Sequence, residues 1–503
     1  MPHRTTARSQ PPLSLTIGEN RMKLRLIAAV AASAALAGCW TVGSSEPAAT
    51  AAAPKNILFF LGDGMGMTTQ TAARIYQVGE DGELTMDTLP ETAFVKTYSN
   101  NAQVTDSAPS MAAYMTGVKM NNEVISMTPE TSAFDATGKD YLSGSNSSCA
   151  TDGSNGKSVT TLLELAKAAG LGTGAVTTTR VTHATPATTY AHVCHRDGEN
   201  AIAAQVVPGG AGTGVNAYNS ALGDGLDVLM GGGRQFFLPT AAGGKRSDGR
   251  DLTAEFKARG YTYVKNKTEF DAAAAASTSK LVGLFTSSHM SYDIDRDPTV
   301  EPSLAEMTTK AIDILAKNPK GFFLMVEGGR IDHALHETTA RKALQDTVAF
   351  DAAIKTAIDA MQAKDPGLKN TLIVVTADHD HTLVLNGYAA RKGKTTATEP
   401  GVLGLVKSFV DGVTASVDSG GLPFSIIGFG NGENRPATRT ALTDAQVSDK
   451  TYHQEAAIPM AAGSETHGGA DVFLGAIGKG AENFTGVIVN TEVFGLIRKA
   501  TGL

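Results

Sequence analysis

An acidic residue and a histidine stand four positions apart in the stretch EGGRIDHALHE, residues 327–337. That spacing places Asp332 and His336 on one face of a predicted helix. A carboxylate and an imidazole on one face can chelate a metal ion such as zinc. His333 lies between them and points elsewhere. A single pair of this kind often arises by chance, so a metal site needs further ligands from other parts of the chain.

Three apolar runs end in side chains that can bind metal. NILFFLGDG ends at Asp63, GFFLMVEGG at Glu327, and TLIVVTADH at Asp378 and His379. Backbone N–H groups usually satisfy a lone acid at such a position. In open α/β sheets, however, ligands bind outside the carboxyl ends of the strands, so three such ends together predict a shared site.

His467 stands in SETHGGADV, where the glycines allow close approach of the backbone to a ligand. An isolated histidine there would usually be a surface residue. Carboxylates combined with imidazoles suit zinc, and an all-oxygen set suits magnesium. The residues therefore divide between one or two zinc ions, held by the histidines, and a magnesium held by Asp63, Glu327 and a hydroxyl.

Ser107 stands in VTDSAPSMAAYMTG, residues 104–117, which reads as the start of a helix. The stretch alone leaves two interpretations open: a nucleophile at a helix N-terminus, or only a cap. The two are compatible, because N–H groups at a helix N-terminus favour an anionic oxygen. Pro109 is compatible with a first helical turn.

The elements that must position these residues alternate between strands and helices. Apolar runs at 56–64, 172–180, 226–233, 321–329, 371–379 and 424–430 predict strands that are buried on both faces. Helical periodicity follows several of them, and Ser303 and Glu306 stand at capping-box spacing before one helix. The pattern predicts an α/β fold with a large, mainly parallel central sheet and helices on both faces. Residues 386–455, rich in Gly, Thr and Ala, predict an insertion.

The N-terminal segment predicts export. From Met22 the sequence MKLRLIAAVAASAALAGCW has the charged, apolar and small-residue order of a secretory signal. LAGC resembles a bacterial lipobox, which favours lipidation of Cys39 over a plain signal peptide cut nearby. We therefore divide the chain into this N-terminal segment (1–39), a flexible tether (40–54) and a catalytic domain (55–503). The expected location is periplasmic, or anchored by lipid and facing the outer membrane of a bacterium.

Only Cys149 and Cys194 remain after Cys39. In an oxidising compartment they could pair or stay free, and the sequence leaves both open.

The 503 residues carry a formal net charge of −7 and contain no basic block. That charge argues against nucleic acid as a partner.

Taken together, these motifs resemble the alkaline phosphatase family, and its animal-type branch in particular. The resemblance covers roughly residues 54–500 and includes LGDGMG, VTDSA, TTTRVTHATPATTYAHVCHR, GGGR, GLF, NPKGFFLMVEGGRIDHALHE, VTADHDH and ETHGGADV, in family order. It implies hydrolysis of a broad range of small phosphate monoesters through a phosphoserine, with two zinc ions and one magnesium per subunit.

The resemblance also implies roles for single residues. Zinc 1 would be held by Asp332, His336 and His467; zinc 2 by Asp63, Asp378 and His379, with Ser107 facing it; and magnesium by Asp63, Thr185 and Glu327. Arg196 would hold the phosphate and Asp106 would orient Arg196. His183 and His333 would also contact the substrate phosphate. They occupy two positions near the metals where family members vary, and here both are histidine, as in animal-type members.

Two further features of the family pattern concern a calcium-like ion and the contact between subunits. After GLF the animal-type members carry an acid that helps to bind a calcium-like ion, whereas this chain has Thr286 there. Although Glu301 matches a downstream ligand, we do not expect a calcium site. The insertion at 386–455 resembles the crown that joins subunits, and we expect a homodimer.

Three rival functions differ in what they would require. A sulfatase would have Arg where this chain has Met111, and phosphodiesterases of this superfamily usually use Thr in place of Ser107. A non-catalytic, metal-holding lipoprotein would not need Ser107 and Arg196. The residues therefore favour the phosphomonoesterase.

Overall fold

The computed structural model describes residues 56–503, so the signal segment, Cys39 and the tether at 40–54 lie outside the described residues. The strands in chain order are β1 Asn56–Gly62, β2 Glu91–Lys96, β3 Leu142–Ser143, β4 Asn146–Ser147, β5 Gly172–Arg180, β6 Val228–Gly232, β7 Thr262–Val264, β8 Leu281–Leu284, β9 Phe322–Gly328, β10 Thr371–Ala377, β11 Asp380–His381, β12 Leu383–Leu385, β13 Ile427–Gly432, β14 Ala456–Pro459, β15 His467–Gly468, β16 Val472–Gly478 and β17 Gly486–Val489.

The helices complete the set of elements. They are α1 Met67–Val78, α2 Ser107–Thr116, α3 Leu162–Ala168, α4 Ala184–Ala187, α5 Glu199–Gln205, α6 Leu252–Ala258, α7 Lys267–Ala272, α8 Leu304–Leu315, α9 Arg330–His336, α10 Ala340–Lys364, α11 Asp444–Val447 and α12 Asn490–Thr501. Helices α8 and α10 pack against each other and against the strands. Within residues 56–503, none of the helices combines the length and the apolar composition needed to cross a bilayer.

One sheet of ten strands has the order β17-β2-β16-β10-β1-β9-β5-β6-β8-β7. Its neighbouring strands are parallel except where β16 pairs with β10 and with β2. The prediction of an α/β fold with a mainly parallel sheet is confirmed. The apolar run that forms β1 is buried from Ile57 to Leu61, as expected for a central strand covered on both faces.

The register of the three central strands explains how distant residues meet. Gly62 at the end of β1 is opposite Ala377 at the end of β10 and opposite Gly328 at the end of β9. Asp63 follows Gly62 directly, and Asp378 follows Ala377. The parallel arrangement therefore brings these acids to one edge of the sheet, as the sequence predicts.

Two details of the prediction were wrong or incomplete. The run FSIIGFG does form a strand, β13, but β13 belongs to a separate three-stranded sheet with β12 and β14. Five strands of the ten-stranded sheet were not predicted: β2, β7, β8, the antiparallel β16, and β17. The capping box before α8 is confirmed, because Ser303 Oγ accepts the Glu306 N–H and Glu306 accepts the Ser303 N–H.

Residues 386–455 contain β13, α11 and several isolated bridges, with little regular structure between them. Four large apolar side chains there are strongly exposed: Tyr388, Phe409, Val410 and Val413.

Elsewhere in the described chain, Cys149 and Cys194 form a disulfide with their Cα atoms 5.8 Å apart. The disulfide ties the β3–β4 region to the segment that carries Arg196.

Candidate active site

Ser107 is the first residue of α2 and is almost fully buried. The helix cap is its neighbour Asp106, whose carboxylate accepts the Ala108 N–H at 2.8 Å. Ser107 Oγ lies 3.2 Å from Asp63 Oδ1 and 3.3 Å from His379 Nε2. Of the two open interpretations, the structure assigns the cap to Asp106 and leaves the Ser107 hydroxyl facing the residues predicted to bind zinc 2.

Asp63, Glu327 and Asp378 are three carboxylates with no measurable exposure. Burial first, and then the charge of Asp63, raise the pKa of Glu327 to about 8. The same two causes raise the pKa of Asp378 well above its usual range. Within residues 56–503, Glu327 Oε1 and Asp378 Oδ2 are buried without a hydrogen-bond partner. Buried carboxylates this close together repel each other when ionised, and a divalent cation would offset that repulsion. The arrangement therefore fits a site for divalent cations.

His379 completes the zinc 2 set. Its Nδ1 lies 3.2 Å from the Asp380 carbonyl, to which it can donate, so the proton is placed on Nδ1. Its Nε2 then carries a lone pair, 3.4 Å from Asp63 Oδ1 and 3.6 Å from Asp378 Oδ2. An imidazole oriented in this way presents the nitrogen that a metal would use.

The zinc 1 set shows the same orientation twice. His467 Nδ1 donates to the Thr105 carbonyl at 2.8 Å, and His336 Nδ1 donates to the Glu465 carbonyl. The two Nε2 lone pairs consequently face each other at 3.1 Å. Asp332 Oδ1 lies 3.3 Å from one and 3.6 Å from the other. Two imidazole nitrogens and a carboxylate oxygen that converge on one point are the donor set that zinc commonly takes, so this set fits zinc.

The predicted magnesium set gathers around Asp63. Thr185 Oγ1 lies 3.5 Å from Asp63 Oδ2. Glu327 Oε2 accepts hydrogen bonds from Thr177 and from Thr179, the latter at 3.1 Å. The threonines orient Glu327 and leave its other oxygen available, which suits an oxygen-liganded ion.

Arg196 lies beside Ser107's helix cap. Its Nη1 donates to Asp106 Oδ1 at 3.0 Å, and its Nη2 lies 3.2 Å from His183 Nε2. The predicted orienting role of Asp106 is thus supported by a direct contact. His333, also predicted near the phosphate, has its ring centroid 5.3 Å from that of His183.

Thr286 and Glu301 make contacts of their own. Thr286 Oγ1 donates to the Ser288 carbonyl at 2.7 Å. Both oxygens of Glu301 accept hydrogen bonds from Ser291, at 3.0 and 2.8 Å. The acid that matches a family calcium ligand is therefore engaged with a neighbouring loop.

The sequence analysis did not single out His381 and Glu465. His381 Nε2 lies 2.9 Å from Asp332 Oδ1, and its Nδ1 lies 2.5 Å from Glu465 Oε2. Burial opposes the charged imidazole, but the two carboxylates outweigh it and raise the pKa of His381 to about 10. Because both ring nitrogens of His381 meet carboxylate oxygens, the geometry favours a role in orienting Asp332 over a role as ligand.

Replacing His381 with alanine is expected to weaken zinc binding about tenfold to a hundredfold, because Asp332 loses the partner that orients it. Titration of the metal-free protein with zinc measures the change. His192→Ala is the matched control: His192 also bridges two acceptors, Ser126 O and Glu164 Oε1, away from the ligand sets. Equal zinc affinities in the two variants would contradict the role of His381.

Comparisons with known proteins agree on one family. The family model for alkaline phosphatase matches residues 54–503. The tissue-nonspecific alkaline phosphatase of Rattus norvegicus is 37% identical over 460 residues, which cover 86% of this chain and 81% of that protein. An alkaline phosphatase of Gadus morhua is also 37% identical, over 86% of this chain and 88% of its own.

Solved structures lead to the same result. The alkaline phosphatase of Thermus thermophilus aligns with a TM-score of 0.62 and 25% identity, over 90% of this chain and 92% of its own. The enzyme of the Antarctic bacterium TAB5 aligns with a TM-score of 0.60 and 25% identity, over 90% and 99%. A variant of the TAB5 enzyme has been solved with Mg bound in its M3 site. By these similarities the chain is a metal-dependent phosphomonoesterase. It belongs to the alkaline phosphatase family.

Proposed function

We propose that this alkaline phosphatase releases inorganic phosphate from small monoesters through a covalent phosphoserine on Ser107. The observation that carries the proposal is the position of the Ser107 hydroxyl, within 3.3 Å of both Asp63 and His379 at the edge of the buried ligand sets. Two zinc ions and one magnesium, held by the residue sets described above, would supply Lewis-acid stabilisation of the attacking and leaving oxygens.

The side chains define the remaining steps. The Ser107 hydroxyl gives its proton to solvent water as Oγ attacks phosphorus, the bond from phosphorus to the ester oxygen breaks, and the leaving oxygen takes a proton from water. The first-turn N–H groups of the ten-residue helix α2 favour the anionic phosphate on Ser107. Water then cleaves the phosphoserine, which regenerates the hydroxyl and frees phosphate. Asp106 is engaged as cap and as partner of Arg196, so it is not positioned as a general base.

Turnover on three aryl substrates tests this reaction class. We expect rapid hydrolysis of p-nitrophenyl phosphate and at most weak hydrolysis of the bis-ester and the sulfate. Faster turnover of either of the latter two would favour the phosphodiesterase or sulfatase alternative.

Arg196 is proposed to bind two phosphate oxygens with its guanidinium, a geometry that an ammonium cannot reproduce. Arg196→Ala is expected to weaken competitive inhibition by inorganic phosphate by about ten- to a hundredfold, while metal content stays unchanged. Arg196→Lys should recover only part of the loss. Inhibition constants measured beside metal analysis give the result, and an unchanged constant would contradict the role.

We infer a homodimer that uses the 386–455 insertion. The exposure of Tyr388, Phe409, Val410 and Val413 in this region supports the inference, because apolar side chains clustered at a surface favour association. Sedimentation of a monomer at micromolar concentration would contradict it.

We further propose that the chain is exported to the periplasm and anchored there through an acylated Cys39. The support is the signal-like order of residues 22–40 and the LAGC motif. Mass analysis of the mature N-terminus tests acylation, and a mature chain without a lipidated Cys39 would contradict the anchor.

A further inference from the structure

Glu123 has a left-handed backbone close to Arg196, the proposed phosphate-binding residue. Its φ is 73°, a value that glycine adopts readily but that the Cβ atom of a glutamate disfavours. Residues held in such conformations cluster at functional sites, and they persist only where surrounding contacts fix them. Glu123 lies in the loop that follows α2, the helix that begins at Ser107. The conformation of this loop therefore depends on contacts that hold Glu123 in place.

The carboxylate of Glu123 does not supply those contacts. Within residues 56–503, it makes no hydrogen bond or ion pair. Burial, and then the charge of Asp106, raise the pKa of Glu123 to about 7. A carboxyl with a raised pKa is less stable in its charged form than it would be in water, so the charge does not hold the residue in place. The backbone groups of Glu123 remain.

Those backbone groups contact both members of the pair formed by Asp106 and Arg196. The Glu123 N–H donates to Asp106 Oδ2, and the Glu123 C=O accepts the Arg196 N–H at 2.8 Å. Arg196 Nη1 donates in turn to Asp106 Oδ1 at 3.0 Å. The three residues form a closed set of hydrogen bonds. Glu123 thus orients the carboxylate that fixes the guanidinium, and it also fixes the backbone from which that side chain extends.

The same loop aligns the segment that leads to Arg196. The Ile125 N–H donates to the Val193 C=O at 3.0 Å, and the Val193 N–H donates to the Ile125 C=O at 3.1 Å. Together with the hydrogen bond from Arg196 to Glu123, these contacts set residues 193–196 in register with residues 123–125. The position of Arg196 consequently depends on the course of the loop.

The left-handed conformation permits both hydrogen bonds of Glu123 at once. A change of φ from 73° to the negative values that other residues prefer would rotate the N–H by more than about 100° relative to the C=O. One hydrogen bond would then be lost, or the loop would move and carry Arg196 with it. A displacement of about 1 Å in a group that positions the substrate can lower an enzymatic rate by about a hundredfold.

We propose that Glu123 is a positioning residue for Arg196, acting through its own N–H and C=O groups. The left-handed backbone sets where the guanidinium meets the phosphate, and the carboxylate of Glu123 is not required for this role. Because the binding of phosphate by Arg196 is part of the proposed function, the proposal rests on that function. It predicts that substitutions at residue 123 act according to the backbone conformation they allow, and not according to their charge.

Substitutions at residue 123 test this prediction in the metal-replete enzyme, with inorganic phosphate as the inhibitor. Glu123→Val introduces a β-branched side chain, which strongly disfavours a positive φ, whereas Glu123→Gly adopts it freely. Glu123→Gln keeps the shape of the side chain and removes the charge. We expect the inhibition constant to rise about tenfold in Glu123→Val, the effect of one lost hydrogen bond to a charged group.

The Gly and Gln variants should each bind phosphate at least about fivefold more tightly than Glu123→Val. Equal inhibition constants for Glu123→Val and Glu123→Gly would overturn the proposal. A Gln variant as weak as Glu123→Val would also overturn it, because the charge would then be the active feature. If Glu123→Val does not fold, Glu123→Ala makes the same comparison, with a smaller expected loss because alanine is not β-branched.

A double-mutant cycle shows whether the effect passes through Arg196. In an Arg196→Ala background, Glu123→Val should raise the inhibition constant by less than about twofold, because the guanidinium that Glu123 positions is absent. A purely structural role of the loop would produce the same loss in both backgrounds. Equal losses in the two backgrounds would therefore overturn the proposal.

Leu368→Val is the control for backbone strain alone. Leu368 is also left-handed, with a φ of 49°, and it is buried. It precedes β10, at the end of that strand opposite to Asp378. This variant should lower the melting temperature but leave the inhibition constant within about twofold of the wild-type value. A change as large as that in Glu123→Val would show that inhibition follows overall stability, and would overturn the proposal.

The same measurements separate this proposal from the proposed function. An unchanged inhibition constant in Arg196→Ala would contradict the binding of phosphate by Arg196 itself. Weaker inhibition in Arg196→Ala, combined with equal constants for Glu123→Val and Glu123→Gly, would overturn only the positioning role of Glu123.

Discussion

Replacing Ser107 with alanine is expected to abolish the covalent phosphoenzyme and to lower kcat by at least about a thousandfold. Within residues 56–503, the Ser107 hydroxyl is the one nucleophilic oxygen that lies against both Asp63 and His379. Its removal leaves the ligand sets and Arg196 in place, so substrate binding and metal content should persist. Rapid quenching at mildly acidic pH, followed by mass analysis of the tryptic peptide that contains residue 107, detects the phosphoenzyme.

Ser110→Ala is the matched control for this experiment. Ser110 belongs to the same helix and donates to the Asp378 carbonyl at 2.7 Å, so its loss removes a buried serine hydroxyl without touching the proposed nucleophile. We expect Ser110→Ala to form phosphoenzyme. Turnover within about tenfold of wild type in Ser107→Ala would assign the nucleophile to another group.

Removal of the metals is expected to abolish turnover and to lower the melting temperature. Asp63, Glu327 and Asp378 are buried together, and without cations their charges repel. Each ion that binds only the folded state at about a thousand times its Kd adds roughly 4 kcal/mol to the free energy of unfolding. Dialysis against a chelator, followed by calorimetry and by readdition of zinc and then magnesium, measures both effects. Full turnover after verified metal removal would contradict the proposed function.

The metal-free protein should also lose stability as pH rises. In the metal-free fold, the pKa of Glu327 is raised from 4.5 to about 8. A carboxyl whose folded pKa is raised contributes stability that is fully present below 4.5 and is lost as pH rises toward about 8. The melting temperature of the metal-free form should therefore fall across this window, and the metal-replete form should not share this part of the fall.

Comparing the two forms isolates the metal site from other buried acids. Burial, and then the charge of Asp293, also raise the pKa of Asp346 to about 8, but Asp346 lies outside the ligand sets and affects both forms alike. Glu327→Gln should reduce the pH dependence of the metal-free form. Parallel pH profiles for the two wild-type forms would contradict cation binding at Glu327.

The sequence predicts five of the ten strands of the central sheet, because the runs that form these parallel strands are apolar or small on both faces. β1, β5, β9 and β10 are continuous apolar or small-residue runs whose ends coincide with the observed strands to within two residues. β2 and β16 are harder to predict. β2 alternates between buried and exposed residues, and the apolar run of β16 is interrupted by Gly475, so the place of β16 in the sheet is evident only from its antiparallel pairing.

The ligand residues could be predicted because strand ends and helical spacing are local features that the sequence shows directly. His381 escaped notice for a different reason. Whether a histidine binds metal or orients a ligand depends on its second partner, and that partner, Glu465, lies 84 residues away. The tautomers of His336 and His467 are likewise set by distant carbonyls at Glu465 and Thr105. Contacts between residues this far apart in the sequence can be identified only in the folded structure.

The wide separation of these pairs also affects the order in which the protein matures. His467 meets His336 across 131 residues and is oriented by Thr105 across 362. A chain still emerging from the ribosome lacks His467, the last of the three residues in the proposed zinc 1 set, until synthesis is nearly complete. The proposed zinc 1 set is therefore complete only after His467 has been synthesised, and we expect that a truncated product ending before His467 does not bind zinc there.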